Sequence, residues 1–331
     1  MNMSQWVDGM IAAPVKKPFP VLSFPGLALT GARVIEAVTD GEKQAAGVKA
    51  VATRYPGMAG AVTFMDLSVE AEAFGSKVRF VEDEVPTVIG RVVCSEADAL
   101  ALPVPEVGAG RTGECLRAVR RAREAITDRP VFAGLIGPYS LTGRLMDMTE
   151  LMVNMTEEPE MVHAVLEKAV RFLTAYAEAF KAAGADGILM AEPAAGLISP
   201  AQAQAFSMSY VKQIVEAVQT DDFAVILHNC GNTVGMVRHM ADTGARGLHF
   251  GNAVDMRLIL PQVPAGVLAF GNLDPARVLK NGTVEAVRAG VAELRRIGES
   301  YPNFVPSSGC DIPPGTPLEN VDAFFEAALA P

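Results

Sequence analysis

Two good metal ligands stand two positions apart at the end of an apolar run. In Phe223–Thr233, FAVILHNCGNT, five apolar residues lead into His228, Asn229, Cys230 and Gly231. Such a run, β-branched at its centre, predicts a strand buried on both faces. Side chains at i and i+2 of a strand share a face, so His228 and Cys230 can converge on one point. A second short apolar run, FVPSSGCD at Phe304–Asp311, ends in Gly309-Cys310 and offers a third ligand. One imidazole and two thiolates suit Zn²⁺, and three protein ligands leave the open position of a catalytic zinc site. The plain alternative is that both cysteines are small buried hydrophobes and His228 a satisfied core histidine.

What decides between these is where the strands put the three residues. Apolar stretches begin at Val21, Ala61, Val131, Gly187, Phe223, Gly247, Val267 and Phe304, and each is followed by helical sequence. Eight buried strands alternating with helices predict a closed (β/α)₈ TIM barrel of the α/β class, a single domain over 1–331 with 1–20 as an amphipathic lead-in. The helical patterns run over Thr30–Thr53, Thr112–Thr127, Met148–Ala183, Ser199–Thr220 and Val284–Gly298, with a last one at Leu318–Leu329. Lys77–Val93 alternates apolar and polar residues around Pro86 and Gly90, which predicts a two-stranded excursion outside the repeat. Barrel chemistry sits at the carboxyl ends of the strands. His228, Cys230 and Cys310 all fall there, which favours the metal.

The same rim collects Asp66, Glu192, His249, Asn252, Asn272, Asp274 and Asp311. Asp66 is either a functional carboxylate or the cap of the helix after it. Glu192 precedes Pro193, so it is held extended, as a fourth, displaceable ligand or as a hydrogen-bond partner of loop backbone. His249 is a candidate for the site or for packing beside it. Asn272 and Asp274, in GNLDP, fit a turn as well as a binding role. Cys94, Cys115, His163 and His239 lie on the excursion or on helices and read as structural, and the Met-rich stretch Leu145–Met155 reads as core.

Composition narrows the class. With 331 residues, half of them hydrophobic, a large core is expected, and a formal charge of −10 argues against nucleic acid as a partner. Four scattered cysteines and no basic-then-apolar leader predict a reducing, cytoplasmic setting. No apolar run approaches the roughly 20 residues that span a bilayer, so no membrane is expected.

Taken together, HNCGNT with SSGCD downstream, MDLSVEAEAFG, GPYSLTGRL, AEPAAGLISP and GNLDP resemble the uroporphyrinogen decarboxylase superfamily. Within it the sequence is more similar to the corrinoid-dependent methyltransferases of the methylcobalamin:coenzyme M type, from about Pro20 to Ala328. The resemblance implies a TIM barrel. The decarboxylases carry an Arg-Gln-Ala-Gly-Arg segment near the amino terminus, where this chain has VLSFPGLALTGARV. Their catalytic Asp matches Asp66, their functional Tyr falls near Arg144 and is absent, and their carboxyl-terminal His falls at Cys310. In the methyltransferases the zinc ligands match His228, Cys230 and Cys310.

That resemblance implies methyl transfer from a methylated corrinoid, free or on a corrinoid protein, to a zinc-activated thiol. Coenzyme M is one such thiol, a pterin is another class of acceptor, and Arg144 is the candidate for holding an anionic group. Relatives of this fold commonly form homodimers. Two other functions compete: a metal-free tetrapyrrole decarboxylase using Asp66, and a corrinoid- or tetrapyrrole-binding barrel without turnover.

Overall fold

The computed structural model describes residues 1–330. Its strands are β1 (Ala61–Val62), β2 (Lys77–Val81), β3 (Glu84–Ile89), β4 (Val131–Ile136), β5 (Gly187–Ala191), β6 (Ala224–Asn229), β7 (Gly247–Phe250), β8 (Leu268–Leu273) and β9 (Phe304–Ser308). Seven of them form one sheet in the order β1-β4-β5-β6-β7-β8-β9, every pairing parallel. Helices follow them around the outside, and the whole is a (β/α)₈-type barrel. The excursion is the separate antiparallel hairpin β2–β3.

The strand expected at Val21 is corrected. Residues 18–23 carry no ladder. Ala59 N donates to Pro18 O at 2.9 Å on the β1 side, and Phe19 N donates to Pro306 O at 3.0 Å on the β9 side. Ile312 N reaches Val21 O at 3.0 Å. The segment thus occupies the eighth place and closes the ring, but Pro18 and Pro20 have no N–H to give a regular ladder.

Two helical patterns are also broken where the sequence punctuates them. Thr30–Thr53 divides into Val34–Thr39 and Gly41–Arg54, preceded by a separate short helix Gly26–Thr30, and Asp40 caps the last by accepting from Glu42 N at 2.8 Å. Met148–Ala183 divides at Pro159 into Met148–Glu157 and Pro159–Ala182.

The core has two layers set by the period-2 alternation of the strands. Val62, Phe132, Leu189, Ala224, Ile226, Leu268, Phe270 and Val305 fill the barrel interior. Residues of opposite parity, such as Ile188, Met190, Val225 and Leu227, pack outward against the helices. The lead-in forms a helix, Met3–Ala12, whose Met3, Val7 and Met10 share one face and join the interior cluster. Trp6 lies against Phe132 with ring centroids 5.6 Å apart. This helix plugs the amino-terminal end of the barrel and leaves the carboxyl ends of the strands as the place for a site. No helix among the described residues is long and apolar enough to cross a membrane.

Candidate metal centre

Ile226 faces the barrel interior, so two steps along β6 His228 faces inward as well, and Cys230 continues that parity just past the strand. Cys310 comes from the turn after β9. Gly251 makes room: a Cβ there would stand 2.4 Å from Cys230 Cα. The His228, Cys230 and Cys310 donor atoms all lie within 4.8 Å of one another. Cys310 Sγ is 3.6 Å from His228 Nε2. A tetrahedral zinc with ordinary bond lengths puts a nitrogen and a sulfur ligand ~3.6 Å apart. The donor types and this edge therefore fit zinc.

The thiols are poised for it. Cys230 is pushed well down, chiefly by the hydrogen bond from the Cys310 thiol, with His228 adding and burial opposing. Cys310 is pushed up by that same hydrogen bond and by burial. The shared hydrogen bond favours the charged form of Cys230 and the protonated form of Cys310, and a divalent cation would displace protons from both.

Behind the three candidate donors the polar groups are connected. His228 and His249 are register partners on adjacent strands, and their Nδ1 atoms are 2.8 Å apart. His249 Nε2 lies 2.9 Å from Ser307 Oγ, across the barrel on β9. Ser307 Oγ in turn donates to Phe19 O at 2.6 Å. His249 is fully buried, and burial with His228 beside it holds its ring neutral, well below the usual histidine range.

Glu192 does not join the three. Leu189 points inward and Met190 outward, so Glu192, two residues beyond Met190, continues the outward face. Its carboxylate receives the first turn of Pro138–Met146: Ser140 N at 2.6 Å and Ser140 Oγ at 2.5 Å on one oxygen, Tyr139 N at 3.0 Å on the other. Gly137 is needed there, because a Cβ would stand 2.2 Å from Glu192 Oε2. Burial pushes Glu192 up to about 7 against the pull of those donors.

Asp66 anchors a second polar cluster at the rim. One oxygen accepts from Ser68 N at 3.0 Å and Ser68 Oγ at 2.6 Å, and the other pairs with the Arg111 guanidinium. Arg111 also reaches Glu72 at 2.6 Å, Val38 O at 3.2 Å and Ser68 Oγ at 2.8 Å, and stacks under Phe80 of the hairpin at 4.9 Å. Beside this cluster Glu70 accepts from Ile136 N at 3.1 Å, and its other oxygen is without a partner.

Arg144 is half-buried on Pro138–Met146. Burial lowers its guanidinium while the charges of Asp66 and Glu70 hold it up. Among the described residues no ion pair to Arg144 is formed. Asn272 donates to Gly251 O at 2.9 Å and Val254 O at 2.7 Å, shaping the loop after β7. Asp274 caps the turn that follows, accepting from Ala276 N at 3.0 Å and Arg277 N at 2.7 Å.

The family description Uroporphyrinogen decarboxylase (URO-D) matches residues 26–330. The chain belongs to the uroporphyrinogen decarboxylase family. It is 32% identical over 303 residues to the methylcobamide:CoM methyltransferase MtbA of Methanosarcina acetivorans, covering 90% of this chain and 87% of that protein. It is 30% identical over 285 residues to the uroporphyrinogen decarboxylase of Azotobacter vinelandii, covering 83% of this chain and 79% of that one. In three dimensions it is similar to a methyltransferase from Methanosarcina mazei with a TM-score of 0.87 at 26% identity, over 99% of this chain and 97% of that one.

Within this uroporphyrinogen decarboxylase-family barrel, three residues at the rim escape a reading of the sequence. Arg111 meets Asp66 across 45 positions and Ser140 meets Glu192 across 52, separations with no local pattern to announce them. Ser307 did leave a signal. It is a polar residue at an inward position of a buried strand, two steps from Val305.

Proposed function

We propose that this protein is a zinc-dependent methyltransferase that moves a methyl group from a methylated corrinoid to a small thiol. One observation carries the reading: an imidazole and two thiols from β6 and the turn after β9 meet at the carboxyl rim with the spacing of a zinc site. Similarity to methylcobamide:CoM methyltransferase supports the donor and the acceptor class. His228, Cys230 and Cys310 would hold the ion, and a fourth position stays free for substrate. Bound there, zinc supplies the positive charge that keeps a thiol deprotonated at neutral pH.

The reaction balances as a heterolytic transfer. The thiol loses its proton, the sulfur pair forms the new S–CH₃ bond, and the pair of the broken cobalt–carbon bond remains with the corrinoid substrate. The chain's own groups orient and screen this step. His249 and Ser307 hold the His228 ring, Arg144 offers a charge to an anionic end of the thiol, and the plugged barrel floor excludes water from beneath. Glu192 holds the helix that carries Arg144 and is proposed to act through that helix.

The decarboxylase alternative rests on Asp66 and on similarity to uroporphyrinogen decarboxylases. It requires no metal and predicts turnover of uroporphyrinogen. Elemental analysis of tag-free, reduced protein beside a Cys310→Ser variant separates the two. Zinc near one per chain, lost in the variant, together with thiol methylation by methylcobalamin supports the methyltransferase. Metal-free protein that turns over uroporphyrinogen sinks it.

A further inference from the structure

We infer that Ser307 and His249 are positioning residues that fix the His228 tautomer, so that its Nε2 lone pair is presented to the metal before any metal arrives. The inference deepens the zinc reading and rests on it only for the last step, the ion itself. The polarity of the chain follows from counting hydrogens. A backbone carbonyl can only accept, and a serine hydroxyl has one hydrogen to give. Ser307 Oγ sits 2.6 Å from Phe19 O, so that hydrogen is committed. At 2.9 Å from His249 Nε2, the hydroxyl oxygen must then accept, and His249 carries its proton on Nε2. A neutral ring protonated on Nε2 has its lone pair on Nδ1. His228 Nδ1, 2.8 Å away, must therefore donate, and His228 carries its proton on Nδ1. Its Nε2 is left as a lone pair, 3.6 Å from Cys310 Sγ.

The relay starts in the fold itself. Phe19 belongs to the segment that closes the barrel, and its N–H is tied to Pro306 O at 3.0 Å. Its carbonyl is thereby fixed beside Ser307, and barrel closure is connected through Ser307 and His249 to the orientation of a metal ligand. His249 and Ser307 are both fully buried, so no water is at hand to take over a missing link. Removing the hydroxyl frees His249 to carry its proton on Nδ1. Two N–H groups would then face each other across the histidine pair unless His228 moved its own proton to Nε2, where it opposes the metal. Loss of such partners behind a ligand costs about 10- to 100-fold in metal affinity.

The test reads protons and affinity rather than turnover. Histidine ¹⁵N–¹H NMR of zinc-free wild-type protein is expected to show His228 protonated on Nδ1 and His249 on Nε2; His249 protonated on Nδ1 overturns the inference. Chelator competition should show zinc held about 10- to 100-fold more weakly by Ser307→Ala, with most of the loss restored in Ser307→Thr. Equal zinc affinity in a folded Ser307→Ala also overturns it. Should Ser307→Ala fail to fold, the wild-type tautomers decide. If the wild type binds no zinc, the metal reading falls and the tautomers alone decide the relay.

Discussion

The barrel mouth carries two polar clusters, one between the ends of β6, β7 and β9 and one beside the ends of β1 and β4. In the second, Asp66, Ser68, Arg111 and Glu72 satisfy one another almost completely. In the first, the His249 side of His228 is closed by a hydrogen-bonded chain, while His228 Nε2 and two thiols meet within 4.8 Å of one another. A closed cluster is what a structure needs to bury charge. Donors left over at one point are what a ligand needs. We propose that the Asp66 side serves mainly stability and the His228 side chemistry, although a carboxylate and a histidine at a barrel rim look alike in sequence.

The widest separation between the two should come from breaking a ligand. A catalytic zinc is held by three protein ligands, and removing one leaves two donors to hold the ion. His228→Ala is expected to bring zinc from about one per chain to background by elemental analysis. Urea unfolding of the zinc-free variant should show a loss of about 1–3 kcal/mol, because His249 Nδ1 is left without its buried partner. Retained zinc would mean that the three donors are not the site.

Arg111→Ala should act on stability alone. It leaves the buried Asp66 carboxylate without its cation, and breaking such a pair costs about 3–5 kcal/mol. A clear fall in the urea midpoint is expected, with zinc per folded chain unchanged. Unchanged stability together with lost turnover would move Asp66 and Arg111 from the structural side to the catalytic one.

Beside the Asp66 cluster stands Arg144, near enough to Asp66 and Glu70 to feel both charges and paired with neither. If it holds an anionic end of the thiol, Arg144→Ala loses a charged hydrogen bond of about 1.5–3 kcal/mol, or roughly 10- to 100-fold. The loss should appear in KM for a sulfonated or carboxylated thiol, not in zinc content, and should be small for an uncharged thiol. Equal losses for both thiols would remove the charge from substrate recognition.

How much of this the sequence discloses depends on range. The His228 strand, its i, i+2 pair and the βα alternation are local patterns, and they predict the barrel and the convergence of ligands. The strand expected at Val21 fails for an equally local reason, because Pro18 and Pro20 withhold the N–H groups a ladder requires. Glu192 shows the limit of placing a residue at a rim without its parity. Met190 already faces outward, so Glu192 turns to the helix layer and not to the His228 side. Arg111 is illegible for another reason. A lone arginine in GAGRTGE gives no sign of the carboxylate it meets, since that contact is made by tertiary packing alone.

The smallest expected effect tests whether the Asp66 side is as closed as it looks. Glu70 is the exception there, with one oxygen on Ile136 N and the other unpartnered. Burial pushes it up to about 7 from the ordinary 4.5, against the pull of its backbone donors. The folded protein therefore keeps a proton on Glu70 at pH values where the unfolded chain has already released it. Stability linked to this group is fully present below the unfolded value of 4.5 and is lost as pH rises through about 7. Glu70→Gln keeps a side-chain oxygen for Ile136 N and cannot ionise. In urea titrations across that window the wild type should lose stability relative to Glu70→Gln as pH climbs. Parallel profiles would mean that Glu70 is charged and paired, leaving the Asp66 cluster closed without exception. A difference in the expected direction would leave one unsatisfied carboxyl on the structural side, close enough to Arg144 to bear on its charge.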